Sequence, residues 1–177
     1  AEELKTAIHL PAAEACEVLS ADALTARLES VSNAVIAVSV GAYLCVATDG
    51  GLSAAVKLGG DLIDPGLEEA DALAMITPCL NRARLVIVHD LKRLLALGFS
   101  CGAPVFDAML AGYVINSQRR SFSLTALCAD QQIPLNEDFP APALLRLYVQ
   151  QQAALQKEGL EKLLQDVEMP LSRVLFH

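Results

Sequence analysis

The sequence has no tryptophan, three histidines and no apolar run of the roughly 18 residues that a membrane-spanning helix requires. The histidines (His9, His89 and His177) are far apart, and none pairs with a cysteine at the spacing of a zinc site, so no zinc centre is expected. Positive charge is scarce, because 13 Lys and Arg residues stand against 21 Asp and Glu residues, for a net charge of −8. An acidic surface repels phosphate groups and disfavours unaided tight binding to DNA or RNA.

The five cysteines do not form a recognisable metal or disulfide framework. They are odd in number, widely spaced and without a Cys-x-x-Cys pair, and they are Cys16, Cys45, Cys79, Cys101 and Cys128. Most lie inside apolar runs, as buried reduced thiols do. The residues before Cys16 do not form a secretory signal peptide, so we expect reduced thiols, a cytoplasmic location and no membrane partner.

A chain of 177 residues, 54% hydrophobic, is long enough for one domain with a substantial core. We expect residues 1–15 to be a leader or linker and residues 16–165 to form the domain. A short strand is predicted near 15–20 and a helix over 21–30. Extended runs at 33–40, 42–48 and 52–58 are separated by Gly41 and by Asp49-Gly50-Gly51, and this turn chemistry predicts a three-stranded antiparallel meander.

The second half of the chain alternates between helical and extended patterns. Helices are predicted at 65–80, 90–99, 121–132 and 142–169, the last interrupted only weakly by Gly159. A strand is predicted at 83–90, followed by a short strand and a helix within 102–117. The Leu-Val-Ile-Val run in 83–90 is apolar on both faces, as in a covered parallel strand. The resulting α/β fold is a mixed sheet with helices on both faces, the ribonuclease-H-like layout.

The expected central strand carries no catalytic chemistry of its own. The stretch Ala34–Gly51 contains no carboxylate, histidine or lysine before Asp49. Its Val- and Ala-rich runs are typical of the middle of a sheet, where many α/β enzymes place their reactive groups.

Several motifs of the second half resemble the 3′–5′ exonuclease domain of bacterial family A DNA polymerase I. They read Asp-Leu-Lys-Arg-Leu (90–94), Phe-Asp-Ala-Met-Leu (106–110), Tyr-Val-Ile-Asn (113–116), Ser-Leu-Thr-Ala-Leu (123–127) and Val-Glu-Met-Pro-Leu (167–171). The resemblance covers roughly residues 16–177. It implies that residues 166–177 begin the connection to a polymerase domain that lies beyond this chain.

The resemblance also implies where a metal site would lie. Active members clamp two divalent metals about 4 Å apart with four acids, helped by a tyrosine. The first two acids correspond to Val38 and Val40, which share one face of a strand, and the third corresponds to Leu94. The last motif corresponds to Tyr148-Val149-Gln150-Gln151-Gln152, which keeps Tyr148 and replaces the acid by Gln152. All four acids are missing, so we expect vestigial positions, no catalytic residue and no bound metal.

We therefore expect a non-catalytic exonuclease-like domain that serves as a structural module of a bacterial replication and repair polymerase. Its partner would be the polymerase domain of the same parent chain, and DNA would be contacted only weakly or through the full enzyme. No cofactor is expected for this domain, and Mg²⁺ would serve the polymerase domain alone.

Two alternatives remain open from the sequence. One is an active metal-dependent exonuclease with relocated acids, for which Asp90 and Asp107 are the candidates. These two and Asp49 also have structural interpretations as helix N-caps or turn formers. The other is an unrelated protein-interaction module of the same fold. Arg119 and Arg120 are candidates for contacts with a DNA backbone, with a solvated loop as the simpler interpretation.

Overall fold

The structure, a computed structural model, describes residues 10–13 and 15–164. Most of the expected leader (1–15) and all of the expected connection to a further domain (166–177) lie outside the described residues. In the part of the chain that is described, no helix combines the length and the apolar character needed to cross a bilayer.

One six-stranded sheet, ordered β1-β4-β3-β2-β5-β6, forms the centre of the described chain. Its strands are β1 (Glu17–Val18), β2 (Val35–Val40), β3 (Tyr43–Thr48), β4 (Ser53–Lys57), β5 (Leu85–Val88) and β6 (Val105–Asp107). Strands β2, β3 and β4 pair antiparallel, as their turn residues predict. Strand β5 lies parallel to β2, β6 parallel to β5, and β1 parallel to β4. The predicted meander and the covered parallel strand are both confirmed.

Seven helices complete the described chain, in two groups on opposite faces of the sheet. They are α1 (Ala21–Glu29), α2 (Glu69–Asn81), α3 (Leu91–Ala96), α4 (Ala108–Ile115), α5 (Leu124–Asp130), α6 (Ala141–Glu158) and α7 (Glu161–Leu163). Buried side chains of α1, α2 and α3 form one apolar cluster with the sheet, and those of α4, α5 and α6 form the other. Helices on both faces bury the apolar side chains that alternate along each central strand.

The prediction of one long helix over 142–169 is wrong. Helix α6 ends at Gly159, which has a left-handed conformation (φ 67°), and its N–H bonds back to the carbonyls of Leu155 and Gln156. Glycine adopts this conformation without a steric penalty, so it ends the helix. The helix predicted from residue 65 likewise begins only at Glu69, because Pro65 forms a bridge with Gly60.

Candidate functional site

The carboxyl ends of β2, β5 and β6 form the edge at which parallel sheets usually place a binding or catalytic site. Strand β2 ends at Val40, β5 is followed by His89 and Asp90, and β6 ends with Asp107. Within the described residues, this edge therefore gathers both acids that the relocated-site alternative requires.

The carboxylate of Asp107 is buried and hydrogen-bonded on both oxygens. The side chain is 1% exposed. Its Oδ1 accepts N–H bonds from Asp90 and Met109, each at 2.9 Å, and its Oδ2 accepts one from Leu91 at 2.8 Å. Burial raises the pKa of Asp107, while the three N–H donors and nearby His89 lower it in part. The carboxylate thus joins the end of β6 to the starts of α3 and α4.

The other polar groups at this edge also make hydrogen bonds that stabilise the fold. Asp90 has a left-handed backbone (φ 69°), and its Oδ1 accepts the N–H of Arg93 at 3.2 Å, which caps α3. The Arg93 guanidinium donates to the carbonyl of Val40 at 3.0 Å. His89 Nε2 lies 2.7 Å from the carbonyl oxygen of Phe122. Among the described residues, no group of three or more His, Cys, Asp or Glu side chains could hold a metal ion.

Asp49 lies at the opposite end of the sheet, beside the start of β2. Its Oδ1 accepts the N–H of Val35 at 3.1 Å, and its Oδ2 pairs with the Arg84 guanidinium at 3.0 Å. The side chain therefore ties the start of β2 to the start of β5. Because it lies at the far end of these strands, Asp49 cannot share a metal ion with Asp90 and Asp107.

The five positions assigned from the resemblance do not form one site. Val38, Val40 and Leu94 belong to the apolar cluster beneath α1, α2 and α3. Tyr148 packs against the cluster on the other face, with its ring edge-on to that of Phe106 at 4.9 Å. Gln152 lies beside Tyr148 along a cavity of about 240 Å³, and its Nε2 donates to Glu161 at 3.1 Å. The sheet separates the two groups, so the residue-by-residue assignment needs correction.

The physical reason is the two-residue period of a strand. A shift of one position along β2 moves every assigned side chain to the other face. The side chains of β2 that face α6 are those of Val35 and Ala37, and alternation places Ser39 on the same face. Ala37 and Ser39 are therefore β2 residues on the same face as α6, which carries Tyr148 and Gln152. Alternation could have grouped them, but no signal in the sequence identifies the face that α6 covers.

The two arginines proposed for DNA contacts differ in their surroundings. The Arg119 guanidinium pairs with Asp130, and its Nε donates to the carbonyl of Ser121 at 3.2 Å. Arg120 is exposed on the same loop. Arg119 would have to give up its ion pair in order to bind a phosphate group.

The comparisons with known proteins extend this description. No known family and no curated protein matches the sequence. The polymerase (POL) domain of Pol1 from M. smegmatis, solved with a DNA primer-template and dNTP, is similar in structure, with a TM-score of 0.64 and 21% identity. The match covers 92% of this chain and 31% of that one, so the chain spans about a third of the polymerase.

The RNase domain of the yeast Pop2 protein is also similar in structure, with a TM-score of 0.53 and 13% identity. The match covers 85% of this chain and 89% of that domain. At these identities the likenesses show the fold alone. That fold is the predicted one, a mixed α/β sheet of the ribonuclease-H-like type.

Replacing Val38 by Thr tests whether water reaches this side chain. The valine is 0% exposed, and a buried hydroxyl without a partner should lower the free energy of unfolding by about 1–3 kcal/mol. The matched control is Val18→Thr on β1, where the side chain is 52% exposed and the change should stay within about 0.5 kcal/mol. Urea unfolding followed by circular dichroism measures both. Equal effects would show that water reaches Val38.

Replacing Asp107 by Asn should distinguish a structural carboxylate from a metal ligand. The asparagine amide keeps one oxygen, but its NH₂ group would face a backbone N–H that donates to the carboxylate in the wild type. We therefore expect the free energy of unfolding to fall by about 2–3 kcal/mol. The matched control is Asp90→Asn, which should change stability by less than about 0.5 kcal/mol because asparagine also caps helices and tolerates φ > 0. An Asp107→Asn protein that is as stable as the wild type would contradict the structural role.

Proposed function

We propose that this chain is a non-catalytic 3′–5′ exonuclease-like domain of a DNA polymerase I and that it acts as a structural module of that enzyme. Support comes from the likeness to the mycobacterial polymerase, which covers nearly all of this chain and about a third of that one. The Phe-Asp-Ala-Met-Leu and Val-Glu-Met-Pro-Leu motifs support the same interpretation, since they follow the pattern of that family.

The observation that carries the proposed inactivity is how the acids at the carboxyl edge of the sheet are used. Both oxygens of Asp107 accept backbone N–H bonds, and Asp90 caps α3. Two-metal hydrolysis needs several free carboxylate oxygens around both ions. The described residues do not supply such a set.

The physics of burial favours the same conclusion. A buried carboxylate without a metal or a hydrogen-bond donor is costly, by several kcal/mol. A domain that no longer binds metals is therefore more stable with apolar side chains along its central strand. In β2, only Ser39 carries a polar side chain.

The module would pack against the polymerase domain of its parent chain and meet DNA through the assembled enzyme. The net charge of −8 disfavours independent DNA binding. The domain itself would need no metal, whereas the polymerase domain would require Mg²⁺.

The relocated-ligand alternative rests on the proximity of Asp90 and Asp107. The backbone N–H of Asp90 donates to Oδ1 of Asp107 at 2.9 Å. An exonuclease assay separates the two candidates. The purified chain is incubated with a 5′-labelled single-stranded oligonucleotide and either Mg²⁺, Mn²⁺ or EDTA. We expect the same product lengths in all three reactions and in a reaction without protein.

A single variant, Asp90→Asn, makes that assay decisive. EDTA-sensitive shortening that Asp90→Asn abolishes would overturn the proposed inactivity, because this variant keeps the helix cap but lowers ligand charge. Shortening that persists unchanged in this variant would indicate a contaminating nuclease, and repurification should then remove it. Electron paramagnetic resonance of added Mn²⁺ measures metal binding directly. With Mn²⁺ at millimolar concentration, we expect only the spectrum of the free ion.

The structural-module role can be tested in cells that express the protein. An antibody against this chain should detect a polypeptide several times heavier than 18.8 kDa, because the domain would be part of a polymerase. The immunoprecipitate should extend a primed DNA template with dNTPs and Mg²⁺, while a pre-immune precipitate should not. A native protein of 18.8 kDa without polymerase activity would favour the interaction-module alternative.

A further inference from the structure

Two cysteines that are distant in sequence have neighbouring side chains. Cys16 directly precedes β1, and Cys45 lies in the middle of β3. Their Sγ atoms are 3.8 Å apart. Cys16 is partly exposed, whereas Cys45 is buried, so solvent reaches the pair from the side of Cys16. The described residues contain no disulfide, and both sulfurs are thiols.

The surroundings of the pair make its two members chemically unequal. The hydrogen bond from Cys45 lowers the pKa of Cys16 to about 7, together with a weaker contribution from Ser53, although burial and the charge of Glu17 oppose this change. The same bond and the burial of Cys45 raise the pKa of the Cys45 thiol. The Ala141 backbone and Ser39, the cross-strand partner of Cys45, oppose this change more weakly. Cys16 is therefore the member of the pair that ionises more readily, and Cys45 is the thiol that stabilises its thiolate form.

Cys79 and Cys128 differ from this pair in their acidity. Burial raises the pKa of Cys79, and it raises the pKa of Cys128 to about 11. Cys101 is half-buried, and its thiol points to the carbonyl oxygens of Leu80 and Ala103. Cys16 should therefore react with electrophiles faster than Cys79 and Cys128 do.

We propose that Cys16 and Cys45 form a peroxide-reactive dithiol site that closes into an intramolecular disulfide. In the first step the Cys16 thiolate attacks one oxygen of hydrogen peroxide, the O–O bond breaks, and Cys16 becomes a sulfenic acid as hydroxide leaves. In the second step Cys45 loses its proton, its sulfur attacks the Cys16 sulfur, and water leaves. Two electrons pass from the two thiols to the peroxide.

Closing the bond requires the segment before β1 to move towards β3. The sulfurs must approach from 3.8 Å to about 2.05 Å. Strand β1 is an edge strand of two residues, and Cys16 precedes it, so this side can shift more readily than β3 in the middle of the sheet. The disulfide would fasten the segment before β1 to β3 across the intervening strand β4.

Peptide mass spectrometry of the peroxide-treated chain tests the proposal. Treatment with a small molar excess of hydrogen peroxide at pH 7 should give one Cys16–Cys45 cross-linked peptide, which dithiothreitol should reverse. Cys101→Ser is the matched control, because it removes a half-buried thiol outside the pair, and it should cross-link as the wild type does. Absence of the cross-linked peptide, or its replacement by Cys16 sulfinic acid alone, would overturn the proposal.

Two substitutions at Cys45 separate its two roles. Cys45→Ser keeps a hydrogen-bond donor, so Cys16 should still react with iodoacetamide with a midpoint near pH 7, but no cross-link can form. Cys45→Ala removes the donor as well. The pKa of Cys16 should then return towards 9.0, and its alkylation rate at pH 6.5 should fall about tenfold, since higher intrinsic nucleophilicity partly offsets the smaller thiolate fraction. Equal alkylation rates in the Cys45→Ala and wild-type proteins would contradict the pairing of the two thiols.

Discussion

The burial of β2 on both faces is the constraint on which the rest of the structure depends. This strand pairs antiparallel with β3 along one edge and parallel with β5 along the other, so the sheet supplies backbone hydrogen-bond partners on both sides. Helices α1 to α3 cover one face, and α4 to α6 cover the other. A strand enclosed in this way excludes water, so an ionised side chain within it would need a metal or several donors. The apolar character of Ala34–Val40 follows directly from that enclosure.

The carboxyl edge of the sheet shows how the same constraint is met where a charge is kept. Asp107 is as buried as the valines of β2, but three backbone N–H groups surround its carboxylate. These donors belong to residues at the junctions of β5 with α3 and of β6 with α4, where the first N–H groups of a helix have no partner within the helix. The carboxylate of Asp107 and the free N–H groups at the helix starts thus provide each other with hydrogen-bond partners. A carboxylate used in this way has little remaining capacity for a metal ion.

The sequence predicted much of the fold because its signals are local. Gly41 and the Asp49-Gly50-Gly51 turn indicated the meander, and Asp90 and Asp107 were recognised as helix caps. The prediction failed at Gly159, where a left-handed residue ends α6, and at Pro65, which pairs with Gly60 before the helix begins. The decisive feature is the backbone conformation of one residue at Gly159 and a backbone bridge to Gly60 at Pro65, and the surrounding pattern of apolar side chains indicates neither.

By itself, the sequence determined the order of strands and helices and the apolar character of the central strand. Only the tertiary structure decided which face of β2 meets α6, and with it that Val38 and Val40 are separated by the sheet from Tyr148 and Gln152. It also decided that Cys16 meets Cys45. The physical reason is that alternation along a strand defines two faces equally well, while packing across the sheet determines what each face touches.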